Sequence, residues 1–113
     1  MKRKISIISL LLFASLTMIA QHSEFPILTG PYLGQNPPGI SPVIFAAGII
    51  STEAHEYACC FSPDGSEFYF TRKNKVMFTR LADSVWTEPI ATSFAGNFSF
   101  EPFVTPDNKR IYY

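Results

Sequence analysis

The sequence predicts an all-β fold: four-stranded blades of a β-propeller behind an N-terminal export signal. Three observations predict it. Aromatic-rich apolar segments alternate with turn residues from about residue 56 onward. A ten-residue pattern recurs at an offset of 43 residues, and four-stranded propeller blades repeat every ~40–45 residues. The first twenty residues read as a basic, then apolar leader.

The bulk properties agree with that frame. At 113 residues the chain is long enough for one small domain. Its 47% hydrophobic content is weighted toward the leader, which leaves an ordinary soluble composition beyond it. Nine acidic side chains balance nine basic ones. This argues against nucleic acid as a partner, because such binding draws most of its affinity from a basic patch. Eleven Phe, five Tyr and one Trp fall among regularly placed Pro and Gly, as expected for short strands joined by tight turns.

The leader begins with Lys2, Arg3 and Lys4 and continues as an apolar run from Ile5 to Ala20, broken only by Ser6, Ser9, Ser15 and Thr17. A spanning helix needs ~20 apolar residues. This run is shorter and ends in Ala20-Gln21-His22-Ser23, the profile of a secretory signal peptide cleaved near Ala20. Met18 departs from the small residue such sites prefer two positions earlier, and an uncleaved anchor is the alternative reading. No Cys lies near the cleavage point to take a lipid. The expected organisation is a signal peptide over 1–20, a Pro/Gly-rich lead-in over 21–56 and incomplete repeats over 57–113. After cleavage no membrane span is expected, and the product is periplasmic or extracellular.

The lead-in contains Gly30-Pro31, Pro37-Pro38-Gly39 and Pro42, and reads as mostly extended. Val43–Ala46 lies 43 residues before Trp86–Pro89. That offset predicts an outer strand closing a ring against the last blade.

The repeat pairs Phe61-Ser62-Pro63-Asp64-Gly65-Ser66-Glu67-Phe68-Tyr69-Phe70 with Val104-Thr105-Pro106-Asp107-Asn108-Lys109-Arg110-Ile111-Tyr112-Tyr113. Its turn has a physical basis. Pro presets the φ of a type I corner. Asp hydrogen-bonds local amides. Gly65 takes positive φ without steric cost, and Asn108 is the next most tolerant residue for that conformation.

Around the first turn, Ala58–Ser62 leads in as a strand. Glu67–Arg72 leaves with Phe68 and Phe70 on one face, Tyr69 and Thr71 on the other. Lys73-Asn74-Lys75 is a polar hairpin connection, and Val76–Arg80 is the third strand. After a loop at Asp83-Ser84, Trp86–Ile90 is an outer strand whose edge position tolerates Pro89. One blade therefore covers about 57–91, and a second begins near Glu101. A blade buries both faces against neighbours, so Phe61, Phe68, Phe70, Met77, Phe78 and Trp86 need partners, and residues 21–113 alone are expected to fold poorly or to associate.

"CFSPDGSEFYFTR", "WTEP" and "EPFVTPDNKRIYY" resemble the TolB-type, WD40-like propeller repeat of exported bacterial proteins. Ser62, Pro63, Asp64 and Gly65 match its Ser-Pro-Asp-Gly turn fully. Thr105, Pro106, Asp107 and Asn108 match with two departures. "GPYLGQNPPG" with "HEYACCFSPDG" resembles the start of a group of secreted propeller proteins. The resemblance implies a propeller with a ligand-binding rim, the partner being protein or carbohydrate. It leaves function open, because one fold hosts many activities.

No motif for nucleophilic catalysis, phosphate binding or a cofactor is present, so no catalytic or cofactor residue is assigned. Glu53, His55 and Glu56 are the candidates for a metal site, since imidazole and carboxylate are common ligands; a solvated loop is the competing reading. Adjacent Cys59 and Cys60 lack metal spacing, and neighbouring strand side chains point to opposite faces, which favours a structural role. Asp64 and Asp107 read as turn residues rather than as a repeated carboxylate site. The function expected is a noncatalytic binding or scaffold module. The alternatives are the propeller part of an exported peptidase or polysaccharide lyase, and a truncated product with no function of its own.

Overall fold

Alternation of apolar and polar residues from Glu56 to Ala91 produces an antiparallel meander in the computed structural model, which describes residues 24–113. The expected signal peptide lies outside the described residues. The strands are β1 (Glu56–Phe61), β2 (Glu67–Arg72), β3 (Lys75–Ala82), β4 (Val85–Trp86) and β5 (Ile90–Ala91), ordered β1-β2-β3-β4 with β5 also on β3. A second sheet pairs β6 (Phe103–Val104) with β7 (Ile111–Tyr112). The described residues are all-β, the one helical element among them being the 3-10 turn Tyr32–Gly34.

Two-residue turns join β2 to β3 and β3 to β4. Lys73-Asn74 has φ 49° and 60°, and Asp83-Ser84 has φ 50° and 66°. Positive φ at both central positions gives the turn the twist that matches right-handed strands. Lys75 therefore belongs to β3, opposite Arg72, rather than to the connection.

The outer strand expected over Trp86–Ile90 is interrupted. Leu81 pairs with Trp86 and Phe78 with Ile90, so Thr87, Glu88 and Pro89 stand opposite only Thr79 and Arg80. The interruption is a bulge, the place where a proline without an N–H fits an edge. Thr87 keeps its hold on β3, donating its amide to the Arg80 carbonyl at 2.9 Å and accepting the Arg80 amide on Oγ1 at 3.2 Å.

A second bulge breaks β1. Tyr57 pairs with Thr71 and Cys60 with Tyr69, leaving Ala58 and Cys59 opposite Phe70. Ala58 takes φ 46° there. Cys59 is exposed and Cys60 half-buried; both are free thiols.

The two faces of β2 bury different clusters, as the alternation predicts. Phe68, Phe70 and Trp86 pack with Leu33, Ala46 and Ile50 of the lead-in. Tyr69 and Val76 pack with Ala95, and with half-buried Cys60, Phe78, Val104 and Ile111. Phe70 and Trp86 are each 1% exposed and Leu33 is wholly buried. Burying a side chain of this size contributes ~1.5–3 kcal/mol. The lead-in is thus a packed layer over one face, and the β6–β7 hairpin covers the other.

Val43–Ala46 does not form the expected strand. Val43 and Ile44 are exposed and unpaired, and the chain turns at Ala46, φ 43°, whose carbonyl receives the Ile49 and Ile50 amides at 3.0 and 2.9 Å. The strand-like role falls to Leu28–Gly30 instead. Thr29 bridges Val85, and the Trp86 amide donates to the Leu28 carbonyl at 2.9 Å. Pro42 one residue ahead of Val43 offers no N–H to a ladder, whereas Leu28 and Thr29 have both donor and acceptor free.

Candidate functional site

The two sequence-matched turns share one hydrogen-bond pattern. In the first, the Ser62 amide donates to the Glu67 carbonyl at 2.9 Å and the Gly65 amide to the Ser62 carbonyl at 2.8 Å. In the second, Thr105 donates to Arg110 at 2.9 Å and Asn108 to Thr105 at 2.8 Å. The Ser62 hydroxyl donates to Asp64 Oδ1 at 2.6 Å and accepts the Glu67 amide at 2.9 Å. The Thr105 hydroxyl donates to Asp107 Oδ1 at 2.5 Å and accepts the Arg110 amide at 3.1 Å. Gly65 and Asn108 both lie in the left-handed region, at φ 73° and 59°.

These bonds set the carboxylates electrostatically. The Ser62 hydroxyl, followed by the Ser66 amide and hydroxyl, holds the Asp64 carboxyl down to about 2. The Thr105 hydroxyl and Lys109 amide lower Asp107 in the same way. Both groups stay ionised through the physiological range, which suits hydrogen-bond acceptors and not proton donors. Within each turn the bonds of Ser62, Asp64 and Gly65, and of Thr105, Asp107 and Asn108, are made to neighbouring residues of the same turn.

The metal candidates are dispersed. Glu53 and His55 are exposed on the loop, and the His55 ring lies against Tyr57 with centroids 5.0 Å apart. Glu56 is engaged elsewhere. It accepts the Thr52 hydroxyl and amide at 2.5 and 3.2 Å and the Arg72 Nε at 2.8 Å. Partial burial pushes the Glu56 carboxyl up, but Thr52 and Arg72 together outweigh it and hold it below its ordinary value. Among the described residues no three His, Cys, Asp or Glu side chains gather as a metal ion requires.

Arg72 is a clip that sequence reading missed. Its Nη2 donates to the Ile49 and Ile50 carbonyls at 2.7 and 3.2 Å, and its guanidinium lies 5.1 Å from the centre of the Phe70 ring. It joins the lead-in to β2 and lines a small cavity of ≈ 220 Å³ with Glu24, Thr52 and Glu88. Nothing in a local pattern marks it, because its partners are the Glu56 carboxylate and two backbone carbonyls, all distant along the chain.

Cys60 is held in the second core, where burial pushes its thiol up. Burial and the hydrogen bond to Glu67 likewise raise the Tyr69 hydroxyl, which donates to Glu67 Oε2 at 2.8 Å. Neither is poised to react.

A groove of ≈ 1070 Å³ lies between Phe61 and the lead-in segment Gln35–Phe45. Its floor is an aromatic cluster. Phe61 meets Tyr32 edge-on at 5.6 Å, Phe45 at 6.2 Å and Phe68 at 4.6 Å. Tyr32 is held by a left-handed turn in which Tyr32, Leu33 and Gly34 have φ 53°, 55° and 73°. The rim supplies Gln35, Asn36 and Ser41. No charged side chain lines this groove. It offers stacking faces and neutral hydrogen-bonding groups, and no acid or base to move a proton. Sequence reading left Tyr32, Gln35, Asn36 and Ser41 in an extended lead-in, since proline-rich extended chain has no periodicity to reveal which side chains face a strand end.

No family model matches this sequence, and no curated protein or solved structure matches it significantly. The class of protein that fold and site define together is an all-β protein of antiparallel sheet with almost no helix. Among the described residues no helix is long and apolar enough to cross a membrane.

Proposed function

We propose that this chain carries repeats of an exported, TolB-type WD40-like β-propeller, and that it serves as a noncatalytic binding module. One observation carries the reading. Two turns 43 residues apart share the same backbone bonds and the same Ser/Thr hydroxyl bonds, and each opens into an antiparallel strand. That spacing is the length of a four-stranded blade. The basic and apolar leader supports export.

The groove beside Phe61 is the ligand surface in this reading. Its uncharged, aromatic lining suits a carbohydrate ring or an extended peptide, both of which bind aromatic faces and neutral amides. The test is binding of the purified exported protein to immobilised polysaccharides and to extended peptides, with and without the Tyr32→Ala and Gln35→Ala substitutions. Saturable binding without turnover is expected, weakened about tenfold by Tyr32→Ala, since one aromatic contact is worth ~0.5–1.5 kcal/mol beyond area burial. Turnover of the ligand, or binding indifferent to both substitutions, would overturn the proposal.

A further inference from the structure

Besides their internal bonds, the two turns touch each other. Asn108 Nδ2 donates to Asp64 Oδ2 at 2.9 Å, between residues 44 positions apart. Asp64 divides its oxygens between two tasks. Oδ1 receives three bonds from its own turn: the Ser62 hydroxyl, the Ser66 amide and the Ser66 hydroxyl, at 2.6, 3.0 and 2.8 Å. Oδ2 faces outward and receives only Asn108 among the described residues.

We propose that this bond is a latch between successive repeats, in which Asn108, the fourth residue of the second turn, reaches back to Asp64, the third residue of the turn before it. The inference rests on the repeat and not on any ligand, so the groove experiment can fail without touching it.

Direction follows from the residue types. Gly65 occupies the position of Asn108 in the first turn and has no side chain to reach backward, although the space around it is open. The first turn accepts only; the second donates. The latch requires a residue that combines the left-handed backbone with a side-chain donor, and Asn is the residue that joins both properties. Asp107 Oδ1 is held by Thr105 and Lys109, as Asp64 Oδ1 is held by Ser62 and Ser66. Asp107 Oδ2 is therefore the matching docking point for the amide of another turn of this kind.

The latch acts alongside other links, among them the packing of Val104 and Ile111 on the Tyr69 face and the Glu101 amide donating to Thr71 Oγ1 at 3.0 Å. Its distinctive consequence is angular, because it fixes the hairpin tips against each other at the end remote from Thr71.

The test is amide hydrogen exchange on the full chain, comparing residues 103–112 with residues 67–80 as an internal control. Asn108→Asp sets two carboxylates against each other and is expected to speed exchange of 103–112 about tenfold, because like charges in contact are destabilising. Asn108→Gly keeps the left-handed backbone and removes the donor, giving a smaller increase. Combining Asp64→Asn with Asn108→Asp reverses the bond's polarity while leaving an oxygen for the Ser62 turn, and returns exchange to within about twofold of the parent. Unchanged exchange in Asn108→Asp, or a reversed pair no slower than that single variant, would overturn the latch. The control region separates this from general unfolding, which accelerates both segments together; such an outcome would also count against a bond confined to the turns.

Discussion

The Trp86 indole N–H donates to the Gly30 carbonyl at 2.7 Å across 56 residues of chain. This bond ties the lead-in to the outer edge of the sheet while the indole ring lies in the main core, 1% exposed. One side chain thus joins the packing of β4 to the placement of Leu33 and Tyr32. Trp86→Phe keeps most of the ring and leaves the Gly30 carbonyl without its partner. The expected loss is about 1–2 kcal/mol, against about 3–5 kcal/mol for Trp86→Ala. The urea midpoint measures both, and exchange of amides 28–34 rises in each.

Gly34 and Gly65 both have positive φ, at 73° in each case, yet they differ in surroundings. A Cβ on Gly34 meets the Thr29 carbonyl oxygen at 3.0 Å, while one on Gly65 meets nothing within 4 Å. Gly65→Ala is expected to cost about 1–2 kcal/mol for the left-handed backbone alone. Gly34→Ala costs that amount plus displacement of the Thr29 backbone, and therefore more. Gly65→Asn is close to neutral, because the second turn already carries Asn108 at that conformation. Thermal midpoints of the three variants rank the effects.

Arg72→Met removes the donors to Glu56, Ile49 and Ile50 but keeps a stem over Phe70. A loss of about 1–3 kcal/mol is expected, the range for bonds to a charged group with partly solvated partners. Arg72→Lys recovers little of it, since one ammonium cannot hold a carboxylate and two carbonyls in a planar fork. Limited proteolysis within residues 46–52 gives a local readout: both variants are cut faster there than the parent.

Acid has a defined effect on the turns. Asp64 is held at about 2 in the folded chain, and Asp107 and Glu56 are lowered as well. A depressed folded value stabilises above the unfolded value, ~3.9 for Asp, and that contribution disappears as pH falls through the folded one. Stability from these groups is therefore flat from neutral pH to about 5 and declines below about 4. Asp64→Asn makes the decline shallower. Urea midpoints at pH 7, 4 and 2.5 for parent and variant measure this, and a midpoint that rises on acidification contradicts the assigned hydrogen bonds.

What the sequence made legible was local. The Pro-Asp turn, the left-handed position filled by Gly65 or Asn108, and the two faces of Glu67–Arg72 depend on neighbouring residues and on strand period, which a single chain displays. What it hid was long-range. Leu33 is wholly buried but sits among prolines and glycines with no periodic pattern. The bulge at Ala58-Cys59 and the break at Thr87–Pro89 follow from register with β2 and β3, which only the paired strands define. The offset that placed a strand at Val43–Ala46 was numerically sound, but Pro42 and the turn at Ala46 override it locally. The groove escaped notice for the same reason as Leu33: its walls come from the lead-in and from Phe61, at the far end of β1.

The propeller assignment itself is tested most directly by imaging the native exported protein, isolated from cells, by electron microscopy or crystallography. The account predicts a ring of four-stranded antiparallel sheets, with the turns at 62–65 and 105–108 side by side on one face and Asn108 against Asp64. A β-sandwich or an open sheet with those turns apart would contradict it.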